Sequence, residues 1–398
     1  MAQTNTGMHT ARNNKKDEFY TRLEDIQDEL KYHKEAFKGQ TVFCNCDDPY
    51  ESNFVKYFLL KFNELGLKKF IATCYDGSPE AGNELTVFDL FGQDYAISVG
   101  QESVKTLASE AYKIEVTEVN DLNGDGVIDL DDIKLLLKTP GVVTPLKGNG
   151  DFRSTECIKL LDEADICATN PPFSLFRDYV ALMVAHNKKF IILGNTNAIT
   201  YKEVFPLIRD NKLWTGHAFN KTMIFKTPYA NTQTASRNTV IKNGLDPEEG
   251  YTAVPSISWF TNLPVHKHEE DLLMYETYSP DKFYHYENYP AINIDEVKKI
   301  PVDYFGYMGV PITFLDKYNP EQFEIINLSR YLSDSTGLNA DFVSNYNNNN
   351  KNAIPEGYKD LGYYDENGIA TIPYMRIIIK RKYTDDGALN QSMEDTNA

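Results

Sequence analysis

Four short apolar runs, at residues 41–46, 69–74, 165–169 and 190–194, limit what this chain can fold into. Each is too short for a buried helix and sits beside a stretch whose apolar residues recur at helical spacing. After the first run, Asp48-Pro49 reads as a helix start, Phe54, Tyr57, Phe58 and Leu65 continue the helix, and Gly66 stops it. A strand, a helix and a second strand in that order form a parallel pair. The pattern recurs from 165 to 194, where Leu175, Tyr179, Leu182 and Met183 share a helix face between two runs. Residues 157–164 and 198–209 read as further helices. The expected fold class is α/β, an open sheet with helices on its faces.

The flanks read differently. Phe19, Leu23, Ile26, Leu30 and Phe37 give residues 17–37 a helical pattern that Gly39 ends, so 1–40 is an N-terminal helical segment. The α/β domain takes residues 41–212, with an acidic insertion at 115–148. After Trp214, short β-rich runs such as 257–260 and 376–379 alternate with Pro, Tyr and Asn, which predicts an α+β or mostly β region over 213–398. The Asn-rich stretch 345–352 reads as a mobile surface loop. No internal repeat is evident. At roughly 150 residues per domain, 398 residues suit two or three domains. No run approaches the length of a membrane span, and the polar start lacks the apolar core of a secretory signal. The expected location is cytoplasmic, without a membrane partner. Five cysteines, an odd number on apolar stretches, read as free thiols in a reducing compartment.

The net charge of −18 taken alone argues against a nucleic-acid binder. The acids are unevenly placed, however. Residues 115–132 hold seven acids and no Lys or Arg, and 384–398 hold four more, again without a base. Eleven of the surplus negative charges therefore lie in two segments, and basic faces elsewhere are allowed.

The stretch richest in chemistry is Asn170-Pro171-Pro172-Phe173, directly after an expected strand. Carboxyl ends of strands in open α/β sheets are where ligands bind. The Asn170 amide oxygen can accept one N–H of an exocyclic amine and the Pro171 carbonyl the other. Two such bonds localise the nitrogen lone pair for attack on a methyl group. Proline fixes φ, which holds the carbonyls rigidly, and Phe173 can stack on a base. An amine inside a duplex is out of reach, so the base must flip out. The bland alternative is a Pro-Pro turn with a packed Phe.

In this order along the chain, a set of segments resembles the EcoRI-type family of adenine-specific DNA methyltransferases. They are Lys16-Asp17-Glu18-Phe19-Tyr20-Thr21, Cys44-Asn45-Cys46-Asp47-Asp48-Pro49, Ser52-Asn53-Phe54, Gly150-Asp151-Phe152-Arg153-Ser154, Ala164-Asp165-Ile166 and residues 169–177 around Asn170. Residues 194–202 and 308–315 complete the set, and the resemblance covers most of the chain. It implies a Rossmann-like sheet, S-adenosylmethionine as methyl donor, and the N6 of adenine in double-stranded DNA as acceptor. It implies catalytic roles for Asn170, Pro171, Pro172 and Phe173. It further implies that Phe19 and Tyr20 pack near the cofactor and that the segment with Asn45, Asp47, Asp48 and Pro49 holds its methionine part. The two aspartates would pair with its α-amino group, although Asp48-Pro49 stands where glycines are usual. Asp76 would meet the ribose, and Asp151 and Phe152 the adenine of the cofactor. Residues 213–398 would read the DNA. A restriction endonuclease of the same system is an expected type of partner.

The insertion has its own pattern. Residues 121–132 match a twelve-residue calcium loop, with Asp121, Asn123, Asp125, the Val127 carbonyl, Asp129 and Asp132 as oxygen ligands and Gly126 at the sharp turn. The final Asp in place of Glu resembles dockerin-type loops. A structural Ca²⁺ is the expectation, and a metal-free acidic hairpin is its alternative. His266 and His268 read as solvent-facing residues or phosphate contacts, and the Lys380-Arg381-Lys382 cluster as a phosphate contact or a solvated strand end. Two competing functions stay open at this point. One is N-methylation of RNA or of a protein glutamine amide. The other is non-catalytic calcium or DNA binding, which would show no affinity for S-adenosylmethionine.

Overall fold

The computed structural model describes residues 20–48, 52–75, 111–227 and 234–382. Two compact units emerge, one of residues up to 199 with 214–264, the other of 200–213 with residues from 265 onward. The division expected near 212/213 therefore falls differently. Residues 214–264 return to the first unit because their strands complete its sheet, while 200–213 belong with the second.

In the first unit, β2 (Thr41–Cys44), β3 (Lys69–Thr73), β6 (Ile166–Thr169) and β7 (Lys189–Asn195) are the four expected buried runs. They lie side by side in the order β3-β2-β6-β7, all parallel. The sheet extends past β3 through antiparallel β4 (Tyr112–Val116) and β5 (Val143–Pro145). Past β7 it extends through antiparallel β11 (Ile257–Thr261), which pairs β8 (Trp214–Thr215). The result is an eight-stranded mixed sheet. β2 and β6 are buried along their whole length, as continuous apolar strands covered on both faces should be.

Helices follow β2 and β6 as the spacing predicts, whereas the 17–37 pattern becomes helix only from Leu23 and the 198–209 stretch splits into a 3-10 turn, Thr196–Thr200, and a short helix, Phe205–Arg209. The helices include α1 (Leu23–Leu30), α2 (Asn53–Leu60), α3 (Leu130–Leu137), α4 (Thr155–Glu163) and α5 (Phe176–Ala185). Ser52 caps α2 by accepting the Phe54 N–H, and Ser154 caps α4 through the Cys157 N–H. Phe54, Phe58, Phe70 and Trp259 are fully buried in one core with Ile26 and Leu30 of α1. A smaller sheet joins β1 (Tyr20–Thr21), β9 (Met223–Lys226) and β10 (Tyr251–Val254), all antiparallel.

The second unit is built on β12 (Ala291–Asn293), β13 (Tyr307–Pro311), β14 (Phe323–Leu328) and β15 (Arg376–Arg381), in the order β12-β13-β15-β14. Met308, Val310, Ile377, Ile378 and Ile379 form its buried strand faces. The Asn-rich stretch is only partly a loop, its residues 350–352 lying outside any helix or strand. Helix α6 (Ala340–Asn349) runs through it, capped by Asn339, and Phe342 and Val343 anchor it by burial. Asn349 and Asn350 donate back to the Asn345 and Tyr346 carbonyls, so local side-chain bonds support the helix end. His268 is also buried, with Nδ1 2.6 Å from the Tyr318 carbonyl, whereas His266 is exposed beside Glu269. No described helix is long and apolar enough to cross a membrane.

Candidate active site

The chain passes from β2 to β3 on one side and from β6 to β7 on the other. Adjacent parallel strands whose connections diverge leave a crevice at their carboxyl ends, the usual ligand position in such sheets. The polar residues singled out in the sequence gather there. Asn45 and Asp47 follow β2, Asn170 follows β6, and the 150–153 turn stands at the carboxyl end of β3.

Gly150 explains that last placement. Its φ is +75°, and a Cβ there would lie 1.9 Å from the Cys74 carbonyl oxygen. Only glycine lets the turn approach the end of β3 this closely. Gly194 acts similarly on β7, since a Cβ would meet the Phe176 ring at 2.2 Å. The bare backbone admits Phe176, which seats the start of α5 and so the segment before it.

Asn170 is half-buried, Pro171 buried, and Pro172 and Phe173 half-buried, with Phe173 packed against the main core. Pro172 is extended (φ −54°, ψ 122°), and a single 3-10 turn, Phe173–Leu175, leads into α5. On the facing strand, Asn45 is 2% exposed. The Tyr179 hydroxyl donates to its Oδ1 at 2.7 Å, and its Nδ2 has no hydrogen-bond partner. Asp47 is buried and accepts from the Ser52 hydroxyl (2.7 Å), the Thr169 hydroxyl and the Asn170 backbone N–H. Burial pushes its carboxyl up to about 6 despite these bonds, which pull the other way. The Tyr112 hydroxyl donates to Asp48 at 3.3 Å.

Phe152 is buried with its ring 5.3 Å from that of Tyr179. Asp151 receives both a 2.9 Å and a 2.7 Å bond from the Arg153 guanidinium, which holds its carboxyl below the usual range. Arg153 also stands 3.6 Å from Asp178, so the turn is tied to the first part of α5. Tyr20 lies in β1 opposite Lys226, and Asn53 donates to the Thr21 carbonyl at 2.8 Å, which fastens β1 to the start of α2. Phe19, Pro49 and Asp76 lie outside the described residues. Ser52, Thr169 and Tyr179 were not singled out by the sequence reading. A tyrosine on an apolar helix face was the available signal, because a buried hydroxyl needs a partner. The cysteines are free, and burial raises all five thiols above their ordinary value, which makes them poor nucleophiles.

The calcium expectation requires correction. Asp121 accepts from the Gly124 and Gly126 N–H groups, Asn123 from Asp125, Asp125 from Val127, and Asp129 from Asp131. Asp132 takes the Leu122, Asn123 and Asp129 N–H groups at 2.7, 3.1 and 3.0 Å, and Val127 is exposed. The carboxylates thus serve the loop's own backbone. Among the described residues, no group of three or more His, Cys, Asp or Glu side chains is arranged to hold a metal ion. The calcium assignment finds no support here and goes no further.

The family described as adenine-specific methyltransferase EcoRI matches residues 7–382. The Type II methyltransferase M.EcoRI of Escherichia coli is 38% identical over 382 residues, covering 95% of this chain and 97% of that protein. M.MpnI of Mycoplasma pneumoniae is 36% identical and M.MgeORF184P of Mycoplasma genitalium 34%. Each aligns over 321 residues, 80% of this chain and 84% of the relative. No solved structure matches the chain.

Proposed function

The chain belongs to the EcoRI-type adenine-specific methyltransferase family, and from that premise we propose that it transfers a methyl group from S-adenosylmethionine to N6 of an adenine flipped out of double-stranded DNA. The observation that carries this reading is the position of Asn170-Pro171-Pro172-Phe173 at the carboxyl end of β6, on the crevice beside Asn45 and Asp47. When bound, the cofactor supplies a methyl group on a positively charged sulfur. The residues present suit such a molecule. The Asn45 Nδ2 is a buried donor without a protein partner, held in orientation by Tyr179, and suits an acceptor such as a carboxylate. Asp48, which accepts from Tyr112, would pair with an α-amino group, and Phe152, buried beside Tyr179 with Arg153 over its ring, would border the purine.

The chain's own part in the reaction is orientation. Asn170 Oδ1 and the Pro171 carbonyl accept the two N–H groups of the adenine amine, which keeps the nitrogen lone pair out of the ring. Held this way, the nitrogen would face the methyl group that the cofactor would supply, and the amine would give up its proton to solvent. Phe173 stacks on the flipped base. No covalent enzyme intermediate is needed, and positioning supplies most of the acceleration. The sheet of the first unit acts as the Rossmann-like cofactor platform, and the second unit reads the DNA. A restriction endonuclease is the type of partner such enzymes have.

The test is transfer of labelled methyl groups from S-adenosylmethionine to unmethylated duplex DNA, RNA and protein in parallel. Label on DNA alone supports the reading. Label on RNA or protein, or no cofactor binding at all, overturns it.

A further inference from the structure

We propose that Asp47 is a positioning residue, whose carboxylate ties the tip of β2 to the first residue of the Asn170–Phe173 segment and so fixes where the Asn170 amide stands. The inference rests on the function proposed above and departs from pairing Asp47 with the cofactor.

Three protein donors converge on this one carboxylate. The Ser52 hydroxyl donates to one oxygen at 2.7 Å while accepting the Phe54 N–H, so the start of α2 is chained to Asp47. The Thr169 hydroxyl donates to the other oxygen, and the Asn170 backbone N–H donates to the same carboxylate. The registered pairs between β2 and β6 are Val42 with Ile166 and Phe43 with Cys167. The Asp47 side chain bridges the two strands past these pairs, at Thr169 and Asn170.

Burying a carboxylate is costly even when it is hydrogen-bonded, and its raised protonation range is the sign of that cost here. A local rule broken at the mouth of a site is where a functional demand is expected. Protonation would turn one acceptor oxygen into a donor facing a hydroxyl or N–H, which loosens the tie. The titratable groups around Asp47 are Asp48, whose charge works against ionisation, together with Cys44, Cys46 and Tyr179. Burial keeps the last three neutral in mildly acidic solution, where the Asp47 carboxyl changes charge.

The experiment compares wild type with Asp47→Asn, Thr169→Val, Thr169→Ser and the double Asp47→Asn/Thr169→Val. Single-turnover methylation of duplex DNA is measured from pH 5.5 to 8.5, with cofactor affinity by calorimetry and thermal melting to check folding. Asp47→Asn and Thr169→Val should each slow the methyl-transfer step about 10- to 100-fold while cofactor affinity changes less than about threefold. The double variant should be no slower than the slower single. Thr169→Ser, which keeps the hydroxyl, should retain the rate. The wild-type rate should fall through a one-proton limb near pH 6 that Asp47→Asn lacks. Lost cofactor affinity with an unchanged rate would overturn the proposal, as would additive effects or full activity of Thr169→Val. If Asp47→Asn fails to fold, the Thr169 pair still decides. If wild type methylates no DNA, the functional reading fails separately, and the same cycle in unfolding free energy decides whether the two strands are tied.

Discussion

Two carboxylate clusters in the first unit use the same donors and acceptors in opposite ways. In the 121–132 loop every bond described above runs between residues no more than ten apart, with Asp125 exposed, Asp121 half-buried and Asp132 buried. At the crevice, besides the nearby Ser52, partners come from afar. Asp47 meets Thr169 across 122 residues, and Asn45 meets Tyr179 across 134. A locally closed cluster shapes its own turn. A cluster assembled by the sheet keeps polar groups in low dielectric, where each bond and each unpaired donor matters more. The difference lies in what water and sequence distance do to similar chemistry.

The contrast yields predictions in decreasing size. Asn170→Ala should lower the single-turnover methylation rate about a thousandfold with little change in melting temperature, since it removes an acceptor aimed at the reacting amine. An effect under tenfold would break the assignment of the crevice. Asp47 gives a stability signature of its own. Its folded-state value near 6 lies above the ordinary aspartate value of 3.8, so its contribution to stability is fully present below about 4 and is lost as pH rises through about 6. Asp47→Asn should remove that dependence, on the order of 3 kcal/mol in denaturant titrations at pH 4 and pH 7. Equal pH slopes in the two proteins would contradict the buried-carboxylate account. Phe173→Ala should weaken stacking by about 1–3 kcal/mol, seen as roughly 10- to 100-fold in transfer rate. Asp132→Ala, in the loop, should cost about 1–2 kcal/mol of stability through lost capping of α3, with a transfer rate within about twofold of wild type. Millimolar Ca²⁺ or a chelator should shift the melting temperature by less than about 1 °C, because a ligand that does not bind the native state does not stabilise it.

Much of the fold was legible because apolar runs and helical spacing are local. The four buried strands, α2 and α5 stand where the pattern put them. The unit division was not legible, because Trp214–Thr215 and Ile257–Thr261 join the sheet through pairing that no local pattern announces. The Asn-rich helix was missed because composition favoured a loop, while Asn339 and the buried Phe342 and Val343 decided otherwise. The calcium loop shows the reverse error. A regular spacing of oxygens was read as a cation site, but the same spacing satisfies the loop's own N–H groups. At the crevice, Asn170 was visible from its tetrapeptide. Ser52, Thr169 and Tyr179 were not, because a hydroxyl becomes informative only once its distant partner is known.

The most direct measurement is base-resolved sequencing of unmethylated DNA after incubation with the protein and S-adenosylmethionine. The account predicts N6-methyladenine at one short recognition sequence and at no other base. Methyl groups on cytosine N4, or adenine methylation without a defined sequence, would contradict it.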